Sequence, residues 1–184
     1  MVLKKSTAKK STTKTKPATR VQRAPLALQL LTADHAAVDK LFRRYARLDD
    51  DAARAAIVQE ICAALSAHAT IEEQIFYPEV REALELDDLL DEAEVEHGGI
   101  KALIAALSNG HPGHDLFDAQ VTVLKEYVKH HVKEEEEELF PKVKRANLDL
   151  EDMGRRLKAA KAELEDRSVR KSIGWPMERQ APRA

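Results

Sequence analysis

The feature that most constrains this chain is an eleven-residue pattern that occurs twice. It reads His68-Ala69-Thr70-Ile71-Glu72-Glu73-Gln74-Ile75-Phe76-Tyr77-Pro78 and, sixty-three residues later, His131-Val132-Lys133-Glu134-Glu135-Glu136-Glu137-Glu138-Leu139-Phe140-Pro141. Each copy places a Glu four residues after a His and closes on an aromatic-Pro pair. On an α-helix, residues four apart lie about 40° apart in azimuth, so the His and Glu share a face. From that face they can hold one metal ion, or two neighbouring ones. A fold for this chain must bring two such faces into register.

The flanking sequence supplies helices for the purpose. A first helix is expected from about Pro25 to Leu48, with the stripe Leu28, Leu31, His35, Val38, Phe42 and Tyr45, in steps of three and four. Asp49-Asp50-Asp51 makes a turn and caps a second helix, whose stripe is Ile57, Ile61, Leu65, His68, Glu72 and Ile75. Pro78 kinks or ends it. A third helix opens at Asp87-Asp88, with the stripe Leu90, Ala93, His97, Ile100, Ile104 and Leu107. The fourth runs from about Asp115 with Phe117, Val121, Leu124, Val128, His131, Glu135 and Leu139. That seam selects His131 over His130, which is rotated by about 100°.

Taken singly, His35 and His97 read as hydrogen-bonded core residues. A buried Glu72 is different: an unpaired carboxylate there costs several kcal/mol or stays protonated, and a metal ion relieves that cost. Glu134, Glu136, Glu137 and Glu138 read as the solvated side of the acidic run. His111 and His114, in a Gly- and Pro-containing loop, are expected to face solvent. Gly98-Gly99 in the third helix reads as a close helix approach, room beside a metal, or a loose stretch. Tyr45 and Tyr127 are taken as packing residues, with hydrogen bonding to a bound oxygen species as the alternative.

Asp34-His35 corresponds to Glu96-His97 at an offset of sixty-two residues, so the repeat unit is a whole αα-hairpin. Two such hairpins joined by short loops form an all-α, up-down-up-down four-helix bundle over residues 26–145. A further amphipathic helix follows from about Leu148 to Asp166, within a C-terminal segment 146–184 that ends in a loose tail. Residues 1–25 carry eight of the 30 Lys and Arg and no acid, leaving 22 basic against 32 acidic residues in the rest. That segment has little to bury and is expected to be disordered. It reads as a solubilising tail ahead of a nucleic-acid contact, because no aromatics are interleaved for base stacking. One cysteine, Cys62, excludes an intramolecular disulfide. With no apolar run of about 20 residues, a soluble cytoplasmic protein is the expectation.

In the bundle all four seams face the axis, so His35, His68, Glu72, His97, His131 and Glu135 converge. Imidazole suits transition metals, and carboxylates favour harder ions such as iron. If each Glu bridges, two ions receive four protein donors each, and each keeps an open position of the kind that binds O₂, NO, peroxide or azide.

These motifs together resemble the hemerythrin-like (HHE cation-binding) domain family over the whole of the four expected helices. The resemblance implies a non-haem di-iron centre, with His35, His68, His97 and His131 as terminal ligands and Glu72 and Glu135 as carboxylate bridges beside an oxo bridge. Oxygen-carrying hemerythrins have a further His one turn after the third-helix ligand, where this chain has Lys101. That departure weighs against O₂ transport and towards sensing of O₂, NO, peroxide or redox state, or iron handling. Some members place the fourth-helix carboxylate where Glu136 stands; the internal repeat favours Glu135. A di-iron enzyme acting on peroxide or O₂ is the alternative, and a bundle working through its basic tail on nucleic acid is another.

Overall fold

The computed structural model describes residues 24–172, and among these every regular element is helical. The expected disordered tail falls almost wholly on residues 1–23, outside the described residues, as does the segment 173–184. Helix α1 spans Leu26–Tyr45 with Pro25 at its N-cap. Helix α2 spans Asp51–Ile71, capped by Asp50, whose side chain accepts from the Ala53 amide at 2.8 Å. It passes through a π-helical turn, Glu72–Phe76, into α3, Tyr77–Ala83. Helix α4 is Asp87–Ser108, and α5 is Phe117–Glu134. A second π-helical turn, Glu135–Leu139, leads into α6, Phe140–Val143. Helix α7 covers Leu150–Ser172.

The two hairpins of the sequence repeat are therefore α1 with α2–α3, and α4 with α5–α6. Their seams are buried much as the periodicity requires: Leu28, Leu31, Val38 and Phe42 on α1, and Phe117, Val121, Leu124 and Val128 on α5. Tyr45 and Ile104 are only partly covered, and a further departure lies where the period slips. Ile75 is only partly covered, while Phe76 and Tyr77 are buried completely or nearly so. Each π turn begins at a seam glutamate and closes when an N–H bonds the carbonyl five residues back: Tyr77 to Glu72, and Phe140 to Glu135. A proline, which has no N–H to extend an α-helical ladder, follows at once in both copies.

Buried side chains fall into two apolar blocks. One holds Leu28, Leu31, Ile71, Phe76, Leu90, Leu139, Phe140, Met153 and Leu157; the other holds Val38, Phe42, Ile57, Ile61, Leu65, Ile100, Val121 and Leu124. Between them lie six buried polar residues: His35, His68, Glu72, His97, His131 and Glu135.

Helix α7 lies against α1 and α2 and shares the first apolar block. Gly154 makes the crossing possible: a Cβ there would sit 2.6 Å from the Ala27 amide nitrogen. Gly99 likewise allows close approach, its missing Cβ facing the Tyr127 ring at 3.1 Å, whereas Gly98 faces open space.

Candidate metal centre

Each of the six polar residues descends from a seam position. His35 comes from α1, His68 and Glu72 from the end of α2 and the first π turn, His97 from α4, and His131 and Glu135 from the end of α5 and the second π turn. The imidazoles meet in pairs. His35 Nε2 lies 3.0 Å from His68 Nε2, and His97 Nε2 lies 3.1 Å from His131 Nε2. Glu72 spans the pairs, with Oε1 3.1 Å from His68 Nε2 and Oε2 3.5 Å from His97 Nε2. Glu135 reaches both through one oxygen, Oε2, at 3.3 Å from His35 Nε2 and 3.7 Å from His131 Nε2.

Four further carboxylates address the outer nitrogens of these rings. Glu136 lies 2.9 Å from His35 Nδ1, Glu73 2.8 Å from His97 Nδ1, and Glu96 2.8 Å from His131 Nδ1. Asp34 Oδ2 is 3.5 Å from His68 Nδ1, an ion-pair separation without hydrogen-bond geometry, and neither atom has another hydrogen-bond partner. The arrangement obeys the hairpin repeat. The residue after each seam glutamate serves the lone His of the other hairpin, and the residue before each lone His serves the His of the His-x-x-x-Glu motif. An ionised carboxylate only accepts, so an imidazole bonded to it carries its proton on Nδ1. In their neutral forms His35, His97 and His131 then turn a bare Nε2 lone pair inward. Carboxylates behind imidazoles in this way orient ligands and raise their basicity.

Lone pairs facing each other at 3.0–3.1 Å repel unless a proton or a cation lies between them. Both oxygens of the fully buried Glu72, and Oε2 of Glu135, have no hydrogen-bond partner. Buried polar atoms are nearly always satisfied, so the donor set fits metal ions. The donors divide into two groups: His35, His68, Glu72 and Glu135, and Glu72, His97 and His131. Protons compete for the same atoms. Burial alone would lower the His68 pKa, but Glu72, Asp34 and Glu135 push it up to about 10. Burial opposes ionisation of Glu135, yet the His35 imidazole 3.3 Å from its Oε2 and the charges of His131 and His68 hold it at about 2. His131 is also raised, with burial outweighed by Glu96, Glu135 and Glu72; His97 is lowered, with burial prevailing.

Several residues stand apart from their reading in the sequence. Glu136 is not simply the wet side of the acidic run, since it holds His35, and Glu73 and Glu96 have the same role. Lys101, in place of a family His, binds the Glu73 carboxylate. Tyr77, 1% exposed, directs its hydroxyl at Glu135 Oε1 at 3.1 Å and lies 3.4 Å from His97 Nε2. It stands five residues after Glu72, which on an α-helix would put it about 140° away from the seam. The i→i−5 bond of the π turn brings it round. The sign of this in the sequence is that its repeat mate, Phe140, is also the aromatic before a proline; Phe140 stacks over His35 at a ring separation of 6.1 Å.

Tyr45 and Tyr127 are not part of the centre. The Tyr45 hydroxyl donates to Asp118 at 2.6 Å and accepts from Arg54 at 2.8 Å, and Tyr127 is largely exposed. His111 and His114 are exposed, as expected.

The chain belongs to the hemerythrin HHE cation-binding domain family, whose sequence profile matches residues 26–143. The fold is shared with a solved structure, a hemerythrin HHE cation-binding domain-containing protein from Mycobacterium kansasii. That chain has 22% sequence identity and a TM-score of 0.67, over 78% of this chain and 89% of the other. No curated protein matches the sequence. The cation-binding class of the family and the buried His/Glu layer coincide.

Proposed function

We propose that the buried layer holds a non-haem di-iron centre, with His35, His68, His97 and His131 as terminal ligands and Glu72 and Glu135 shared between the ions. On this reading the protein binds or responds to O₂, NO, peroxide or redox state, or handles iron. The observation that supports it best is the pair of Nε2–Nε2 contacts around a buried carboxylate with no hydrogen-bond partner. An iron pair would supply two redox-active Lewis acids with positions open to a small ligand. The chain's own residues present the donors, keep them oriented through Asp34, Glu73, Glu96 and Glu136, and exclude bulk water with the two apolar blocks.

The space beside the imidazoles supports a small ligand. A void of about 20 Å³ is lined by the four histidines with Val38, Leu65, Ile100, Val128 and Val132, room for about one molecule the size of water or a diatomic gas. A neighbouring cavity of about 130 Å³, lined by His35, Phe42, Val128 and Val132 with Asp39, Lys125 and Lys129, adjoins it. The two share His35, Val128 and Val132, from α1 and α5, in their walls. Lys101, engaged with Glu73, gives no imidazole to the second donor group, which favours sensing or iron handling over reversible O₂ transport.

A second reading, a di-iron enzyme acting on peroxide or O₂, rests on Tyr77: a buried phenol that donates a hydrogen bond to Glu135 lies within the centre. Among the described residues no helix is long and apolar enough to cross a membrane, which is compatible with a cytoplasmic protein. Nucleic-acid binding through residues 1–25 remains a separate proposal, tested by deleting them and measuring salt-dependent DNA binding.

The deciding experiment is anaerobic Fe(II) titration followed by exposure to O₂. About two irons per chain and a di-ferric absorption spectrum are expected from the six-residue donor set. His68→Ala with His131→Ala should abolish uptake, and His111→Ala with His114→Ala should not. A chain that takes up no iron overturns the reading.

A further inference from the structure

The sequence contains a third His-x-x-x-Glu, His130 to Glu134, that the buried centre does not use. On α5 it points away from the axis, and across the hairpin it meets Glu96 of α4. His130 Nε2 lies 3.3 Å from Glu96 Oε1 and 3.2 Å from Glu134 Oε1, with side-chain exposures of 61% for His130, 17% for Glu96 and 29% for Glu134. One donor atom from each residue lies within 4.8 Å of the others. Ligands bonded at about 2.0–2.2 Å to a single ion keep such separations.

We propose that Glu96, His130 and Glu134 form a second, exchangeable site for a divalent first-row transition metal, outside the buried centre. The donor chemistry selects the class of ion, since imidazole with two carboxylates suits Zn²⁺, Fe²⁺ or Co²⁺ better than Mg²⁺ or Ca²⁺. Water fills the remaining positions at this exposed place, so the ion exchanges readily.

Two features separate this cluster from an ordinary surface ion pair. Glu96 is already fixed: its Oε2 is held by His131 Nδ1 at 2.8 Å, which leaves Oε1 to face His130. Its counterpart in the first hairpin, Asp34, carries a cation in the corresponding place, because Lys161 of α7 binds Asp34 Oδ1. No helix like α7 covers the second hairpin among the described residues, and a His and a further Glu stand there instead. A cation thus sits behind the outer carboxylate in one half of the repeat, and a ligand set occupies the matching position in the other.

The test is calorimetric titration of the full chain with Zn²⁺, repeated with Co²⁺ for its visible spectrum. A weaker equivalent beyond those of the buried centre is expected, absent from His130→Ala and weakened in Glu134→Gln by at least the roughly 10-fold that loss of a group behind a ligand costs. Because His130 is exposed, an unchanged melting temperature should confirm that His130→Ala folds. Glu96→Gln is avoided, since it also disturbs His131. Identical isotherms for the wild type and His130→Ala overturn the proposal. In His68→Ala with His97→Ala both buried donor groups are broken while His131 still holds Glu96, and a His130-dependent equivalent should persist. That double variant separates failure of this site from failure of the di-iron reading.

Discussion

Glu136 and His35, 101 residues apart in the chain, meet at 2.9 Å between Oε1 and Nδ1. Glu136 follows the seam residue Glu135 and is exposed, yet it fixes the ring of a buried histidine. Its counterpart Glu73 does the same for His97. If these carboxylates orient ligands, Glu136→Ala should weaken metal binding about 10- to 100-fold. Glu137→Ala, one residue on and exposed, should leave it unchanged. Competition with a chelator of known affinity measures both; equal affinities would return Glu136 to the solvated face.

Tyr77 supplies the donor on Glu135 Oε1, and its repeat mate is a phenylalanine, so Tyr77→Phe should keep the fold. Deleting a partner of a buried charged group costs about 1–3 kcal/mol. The metal-free variant should therefore melt below the wild type in the same buffer. With the centre loaded, its optical spectrum should differ, since the hydroxyl lies among the donors. An unchanged melting curve and spectrum would make Tyr77 a packing residue only.

These two residues mark the limit of what the sequence discloses. The bundle was legible because apolar residues recur at helical spacing, and Leu31, His35, Val38 and Phe42 follow that spacing without interruption. The six inward polar residues were legible because they interrupt the same seams. The period fails at the two π turns, which local composition does not signal; a proline announces only that the α-helical ladder ends. Tyr77 and Phe76 lie past that slip, so the straight-helix projection passed over them in favour of Ile75. Glu73, Glu96 and Glu136 escaped for another reason. A glutamate about 100° off a seam is ordinarily wet, and only the opposing helix reveals that an imidazole N–H lies within reach.

Two glycines should respond oppositely to the same change. At Gly154 a Cβ would come within 2.6 Å of the Ala27 nitrogen and 2.8 Å of the Leu26 carbonyl carbon. Those are backbone atoms, so α1 and α7 must separate. Gly154→Ala should lose about 1–3 kcal/mol, the usual cost of overpacking, despite the better helix propensity of Ala. Lys161, farther along α7, would be drawn from Asp34 as α7 shifts. Gly98→Ala meets nothing within 4 Å and should gain about 0.5–1 kcal/mol from propensity alone. Urea denaturation of both variants checks the contrast.

Protons and metal ions should make the stability of this chain respond oppositely to pH. Burial lowers the His68 pKa, but Glu72, Asp34 and Glu135 outweigh it and move the value from 6.5 to about 10. His131 moves the same way, and His97 the other. A group raised on folding stabilises the fold fully below its unfolded value, and that contribution is lost as pH rises through the folded value. Metal-free protein should accordingly lose stability from about pH 6.5 to 10 through His68. Metal binding requires that proton to leave, so affinity should rise over the same interval and uptake near pH 7 should release about one proton or more per chain. Melting curves of metal-free and loaded protein at pH 6.5, 8 and 10, with an indicator dye following metal addition in weak buffer, measure both effects. Uptake without proton release would mean that His68 is already neutral in the folded chain.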